Sequence, residues 1–239
     1  MRRVVARPAA RGKKGGAGRV LGRVLLVLLA VIVGFHLVCA LGLMALKWVN
    51  PWTTAVQSQR RVESWFNPRP YHKQYRFVPL SEISPNLQHA AIAAEDGRFY
   101  QHHGVDWNQV RIVIDESIES GEVARGASTI TQQLIKNLFL TTSRTGIRKA
   151  FEFSLVPFTE FILGKNRILE LYLNVIEWGP GVFGADAAAH YHYKTTALRV
   201  NRDQAARLAA ILPGPRTRKP ARMNEYSAAI LTRMKQLGW

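Results

Sequence analysis

Two clusters in the 239-residue sequence gather side chains that could move a proton and hold an anion. In the first, Glu95-Asp96-Gly97-Arg98-Phe99-Tyr100-Gln101-His102-His103-Gly104-Val105-Asp106 breaks an apolar stretch with two adjacent acids, then crowds histidine, glycine and aspartate together. Glu95 would close a helix at its C-terminal end, where the helix dipole opposes negative charge and strengthens a carboxylate as a base. In the second, Gly126-Ala127-Ser128-Thr129-Ile130-Thr131-Gln132-Gln133-Leu134-Ile135-Lys136-Asn137 sets a glycine and hydroxyls at a helix start, where backbone N–H groups are free to meet an anion. Gln133, Lys136 and Asn137 share one helical face, and Arg144, Arg148, Lys149 and Glu152 follow. By spacing alone, a surface loop and a capped amphipathic helix with solvated basic residues stand as alternatives to a catalytic pair of clusters.

The elements that must position these residues read as helices. Ser84-Pro85 is an N-cap with proline in the first helical position, opening the alanine-rich run that ends at Glu95. Thr129 and Gln132 have capping-box spacing, and Leu134/Leu138 with Ile135/Phe139 line one face of the helix they open. Ile168, Leu171, Tyr172 and Val175 repeat at helical spacing while Leu169, Leu173 and Ile176 cover a neighbouring stripe, so this helix is expected to be buried on most sides. Asn201 and Gln204 suggest another capping box before a helix stopped by Pro213-Gly214-Pro215. With no alternating strand runs and no internal repeat, the expected fold class is mainly α.

Thirty-three basic against 16 acidic residues give a formal charge of +17, with eight of the cations before Val24 and no acid among them. Residues 24–46 lack Asp, Glu, Lys and Arg, and as a helix they would extend about 35 Å, enough to cross a hydrocarbon core of about 30 Å. The stretch is longer than the apolar part of a cleavable leader, so it reads as a retained signal anchor with residues 1–23 as a basic cytoplasmic tail. The one-sided charge places everything after Lys47 outside the cytoplasm, with Trp48 and Trp52 as interfacial aromatics. Because a spanning segment already accounts for the basic tail, nucleic acid is not an expected partner. The single cysteine, Cys39, excludes an intramolecular disulfide and suggests neither a thiol enzyme nor a cysteine zinc site. Residues 47–80, rich in proline, arginine and aromatics without a sustained period, read as a juxtamembrane connector, and 81–239 as the catalytic domain.

In order along the chain, these stretches resemble the signature motifs of glycosyltransferase family 51, the peptidoglycan glycosyltransferases. E-D-x-x-F-x-x-H-x-G falls on Glu95, Asp96, Phe99, His102 and Gly104, and G-x-S-T-I-T-Q-Q-x-x-K-N on Gly126 to Asn137. R-K-x-x-E falls on Arg148, Lys149 and Glu152, K-x-x-I-L-E-x-Y-L-N on Lys165 to Asn174, and G-x-x-G-x-x-A-A-x-x-Y on Gly181 to Tyr191. The resemblance spans roughly residues 75–220 and is nearest to monofunctional members, since no Ser-x-x-Lys transpeptidase signature occurs.

That resemblance implies a lysozyme-like helical domain with a cleft and a hydrophobic lobe, drawn from the stretch between the first two motifs, that dips into the bilayer. It implies polymerisation of lipid II into linear β-1,4 glycan strands with inversion and release of undecaprenyl diphosphate, for cell wall biogenesis and cell shape. Glu95 and Glu152 would be catalytic, Glu95 as general base. Lys136, Arg144, Arg148 and Lys149 would offset the diphosphate, with Ser128, Thr129, Gln132, Gln133 and Asn137 shaping the cleft beside Gly126. Asp96, Phe99 and His102 would hold the first motif in place. No cofactor is firmly implied, although Glu152 could bind a divalent cation at the diphosphate. Lipid II, the growing glycan, the bacterial inner membrane and a cell-wall synthesis or division complex are the expected partners. The competing expectations are a lysozyme-like glycan hydrolase, which shares a glutamate at a helix end, and a non-catalytic anchored scaffold, which would lack Glu95 or the cations.

Overall fold

The computed structural model describes residues 16–67, 71–121 and 128–239. The chain divides into two compact units, Met1–Cys39 and Ala40–Trp239. Helix α1, Gly16–Leu46, contains the apolar stretch Gly18–Leu46, whose 29 residues extend about 43 Å and are long and apolar enough to cross a membrane. Most of the basic tail, together with Pro68, Pro70 and Gly126, lies outside the described residues.

The second unit is mainly α. Helix α2 (Ala55–Ser64) lies within the segment that shows no period in sequence and is N-capped by Thr54. Helices α3 (Pro85–Glu95), α4 (Trp107–Ser120), α5 (Ile130–Phe139), α6 (Gly146–Val175), α7 (Ala185–Tyr193), α8 (Arg202–Ile211) and α9 (Asn224–Gln236) follow. Helix α3 packs on α8 and α9, α5 packs on α6, and α2 packs on α5. Their shared core includes Leu87, Ile92, Phe99, Ile130, Leu134, Ile168, Leu171, Tyr172 and Trp178, all 0 to 1% exposed. The three expected caps are in place: Ser84 accepts from the Asn86 N–H, and Thr129/Gln132 and Asn201/Gln204 both form full capping boxes.

Among the described residues there is one small sheet, β1 (Gln74–Tyr75), β2 (Glu177–Gly179) and β3 (Val182–Phe183), in the order β1-β3-β2. β1 runs parallel to β3 with Gln74 opposite Val182, and β2 is antiparallel to β3. Strands of two or three residues are too short to show alternation, which is why no strand was expected. Asn174 anchors the chain ahead of α3, donating to the Val78 carbonyl at 2.9 Å while accepting from the Val78 N–H at 2.9 Å. Glu170 accepts from the Leu80 N–H at 2.8 Å, so two polar residues of α6 fix where α3 begins.

Helix α6 is broken at Gly164, whose φ of 71° and ψ of 163° only glycine adopts without strain. The break separates the first half, which carries Arg148, Lys149 and Glu152, from the second half, which is the buried helix expected from Ile168 to Val175. Gly104 is the tightest position: its φ is +85°, and a Cβ there would stand 2.3 Å from Val156 Cγ1 and 2.9 Å from Glu160 Cγ. Gly104→Ala should therefore combine backbone strain with overpacking and cost roughly 2–4 kcal/mol. Thermal unfolding of the purified variant in detergent should show a melting temperature lower by about 5–15 °C; an unchanged value would contradict this packing.

Candidate active site

Glu95 is the last residue of α3, and Asp96 caps the helix. Burial pushes the Glu95 pKa up. The Gln133 side chain, whose Nε2 donates to Glu95 Oε2 at 2.7 Å, and the charges of Lys136 and Arg218 act the other way, while Asp96 adds to the rise. The orientation of that amide is set from behind, because the Tyr172 hydroxyl donates to Gln133 Oε1 at 3.3 Å. Tyr172 is fully buried, and burial first, then the nearby Glu95 and Asp96, raise its pKa well above the ordinary value, so it stays a donor.

Behind Glu95 lies a closed set of hydrogen bonds. Asp96 Oδ1 accepts from His102 Nε2 at 2.8 Å, and Asp96 Oδ2 accepts from the Ile130 N–H at 3.0 Å. The Gly104 N–H donates to His102 Nδ1 at 3.0 Å, which leaves the imidazole proton on Nε2. Thr129 Oγ1 donates to the Gly104 carbonyl at 2.6 Å. Phe99 is buried beside this ring with the Lys165 ammonium 4.4 Å from its centroid. Asp96, His102 and Asp106 offer potential ligand atoms within 4.8 Å of one another. They do not suit a metal: both Asp96 oxygens and both His102 nitrogens are engaged, and Asp106 caps α4.

Glu152 is 2% exposed and pairs with Arg148 Nη1 through one carboxylate oxygen and Lys149 Nζ through the other. The Arg148 guanidinium also donates through Nε to the Ser143 carbonyl at 2.5 Å, and the Lys149 ammonium to Ser128 Oγ at 3.1 Å. With both oxygens engaged by cations, this arrangement does not suit a divalent cation at Glu152. Burial pushes the Lys136 pKa down, whereas Glu152 and Glu95 push it up and Arg148 and Lys149 push it down again. Lys136 is thus the residue whose charge senses both carboxylates.

The structure brings Glu95, Gln133, Lys136, Arg148, Lys149, Ser128 and Glu152 into one linked system. Three expected cleft residues are turned to other uses. Gln132 Oε1 accepts from the Thr129 N–H, Thr129 caps α5, and Asn137 donates to the Gln133 carbonyl at 2.8 Å. Arg144 is exposed on the α5–α6 loop. A cleft of about 480 Å³ is lined by Glu95, Ser128, Gln109, Tyr226 and Arg233. A separate cavity of about 610 Å³, at Arg60, Tyr71, Glu177 and Arg216, holds none of the clustered residues. Sequence reasoning gave no part of the site to Tyr172 or Arg218. Tyr172 carried a usable signal, being the one polar-tipped side chain on an otherwise apolar helix face; Arg218 carried none.

The fold is a mainly helical domain that brings two glutamates and three cations into one linked cluster. The profile of the family described as Transglycosylase matches residues 61–236, and the chain belongs to that family, whose domain is lysozyme-like and mainly α. A biosynthetic peptidoglycan transglycosylase of Pseudomonas entomophila is 44% identical over 199 residues, covering 82% of this chain and 84% of the relative. Relatives described in the same words occur in Laribacter hongkongensis, 44% identical over 170 residues with coverage of 71% and 75%, and in Chromohalobacter salexigens, 42% identical over 222 residues with coverage of 91% and 94%.

The Gln133 bond lowers the Glu95 pKa against its burial, so Gln133→Leu should move the titration of this carboxyl upward. Infrared difference titration of the carboxyl stretch, taken against Glu95→Gln, reads it directly. A titration that stays put or moves down would show that Gln133 does not hold the charged form.

Proposed function

We propose that the protein is a peptidoglycan glycosyltransferase that joins lipid II units into linear glycan strands and releases undecaprenyl diphosphate. The observation that carries the reading is the pair of cations, Arg148 and Lys149, held on the buried Glu152, with the half-buried Lys136 responding electrostatically to both Glu152 and Glu95. Glu95 takes the proton from the acceptor 4-hydroxyl as that oxygen forms its bond to C1 of the donor sugar. The C1–oxygen bond to the diphosphate breaks on the opposite face, so the anomeric centre inverts and the electron pair leaves on phosphate. A diphosphate needs its growing charge offset more than it needs a proton, and Lys136, Arg148 and Lys149 supply that charge, joined by Arg144 from the loop. Glu152 holds Arg148 and Lys149 in place, and Gln133 keeps Glu95 aimed.

A raised Glu95 pKa would serve a hydrolase acid as readily as a transferase base, so it does not separate the two chemistries. The cations at Glu152 do, because a sugar leaving group has no charge for them to meet. The setting also favours a lipid-linked substrate. None of α4 is buried, and it exposes Trp107, Ile112, Ile114 and Ile118, while Phe158 and Phe161 are exposed on α6. These apolar side chains suit contact with a bilayer into which α1 is anchored. By the charge asymmetry around α1, the catalytic unit lies on the periplasmic side of the inner membrane, where it would meet a cell-wall synthesis or division complex.

Glu95→Gln should lower polymerisation about 10²–10⁴-fold with the fold intact, since a near-isostere replaces the base. In the same assay of labelled lipid II, Arg148→Ala and Lys136→Ala should slow turnover far more than Arg199→Ala or Arg222→Ala, which remove equal charge elsewhere. A Glu95→Gln variant keeping more than half of wild-type turnover would end the assignment of the base, and equal losses in all four alanine variants would end that of the leaving-group cations.

A further inference from the structure

The cations around Glu152 are fixed by more than their own helix. Helix α2, 83 residues upstream of Thr142, places the half-buried Gln59 against the loop that joins α5 to α6. Gln59 Nε2 donates to Thr142 Oγ1 at 2.8 Å and to Glu63 Oε1 at 2.6 Å, and Gln59 Oε1 accepts from the Thr142 N–H at 2.9 Å. One amide thus holds a single loop residue by both its side chain and its backbone. The next residue, Ser143, presents the carbonyl that receives Arg148 Nε at 2.5 Å. That bond and the pairing of Arg148 Nη1 with Glu152 engage the guanidinium at two of its three nitrogens and so fix its plane.

Helix α2 and the segment just before it are each tied to the rest of the unit. Arg60 and Glu63 pair with each other, and Arg60 reaches the buried Glu177 at 2.9 Å. Upstream of α2, Arg167 donates to the carbonyls of Leu46 and Val49 at 2.8 and 3.1 Å and to Asn50 Oδ1 at 2.9 Å. The segment that leaves the anchor is therefore tied to the catalytic unit before it reaches the loop.

We propose that Gln59 is a positioning residue for the leaving-group cations: by clamping Thr142 it fixes the Ser143 carbonyl on which the Arg148 guanidinium is oriented. The proposal rests on the reading of Arg148 as a cation that meets the departing diphosphate. Its chemistry is indirect. Gln59 touches no reacting atom, but without it the loop can shift and carry the Ser143 carbonyl away. Arg148 then meets phosphate with its charge intact and its geometry loosened, a fault felt most as charge develops in the transition state.

The test is a double-mutant cycle on the full chain in detergent, following polymerisation of labelled lipid-linked disaccharide diphosphate. Gln59→Ala should lower kcat about 5- to 20-fold with KM within about twofold, the pattern of a lost transition-state interaction. In an Arg148→Lys background, where no Nε–H remains to bond Ser143, Gln59→Ala should cost less than about twofold more. A purely structural role for Gln59 would give the same fold-loss in both backgrounds, and that result overturns the proposal, as does a Gln59→Ala kcat at the wild-type level. If Arg148→Ala keeps wild-type turnover, the leaving-group reading falls and takes the proposal with it; if Arg148→Ala is slow but Arg148→Lys or Gln59→Ala is not, only the positioning role falls. Should Gln59→Ala fail to fold, Thr142→Val carries the test from the other side. It keeps the backbone bond and loses the hydroxyl, so kcat must fall while KM holds, and an unchanged kcat overturns the proposal.

Discussion

Asp96 has both carboxylate oxygens engaged, one by the His102 ring and the other by the first backbone N–H of α5. This residue therefore joins the loop after α3 to the start of α5, two pieces of chain more than thirty positions apart. Everything that follows in the site depends on that join. Because α3 ends where α5 begins, Glu95 stands within reach of Gln133 one turn into α5, and Lys136, one turn further on, has its pKa pushed up by both Glu95 and Glu152. Gly104 and Thr129 close the ring from the other side, and the space allotted to Gly104 by Val156 and Glu160 shows how little slack the join has.

The electrostatics follow from the same packing. A half-buried carboxylate at a helix C-terminus, next to a second acid, is costly to charge, and the Gln133 amide donor with the charges of Lys136 and Arg218 works against that cost. On the proposed mechanism this is the base. At Glu152 the opposite solution operates: two cations pair with one buried carboxylate, so the cluster carries net positive charge. Lys136 couples the two arrangements.

Much of this was legible in the sequence for local reasons. Caps, the helical spacing of Ile168 to Val175 and the place of Glu95 at a helix end are decided within a few residues, and each appears where expected. What escaped depends on distant chain. Helix α2 has little apolar periodicity of its own and packs on α5, and β1 exists through pairing with β3 across about a hundred residues, while β2 and β3 are too short to show a pattern. Asn137 matched a motif, but its side chain bonds the Gln133 carbonyl one turn back on its own helix, a contact the motif does not reveal. Arg218 approaches Glu95 only through the packing of α8 and α9 on α3.

On the proposed mechanism the cations around Glu152 serve a departing diphosphate while Glu95 serves an incoming hydroxyl. The most direct measurement is a product analysis of the purified full chain with doubly labelled lipid II, counting glycosidic bonds formed against undecaprenyl diphosphate released. The account predicts lengthening glycan strands with one diphosphate lipid freed for each new bond. Free reducing disaccharide, or lipid release without strand growth, would contradict it.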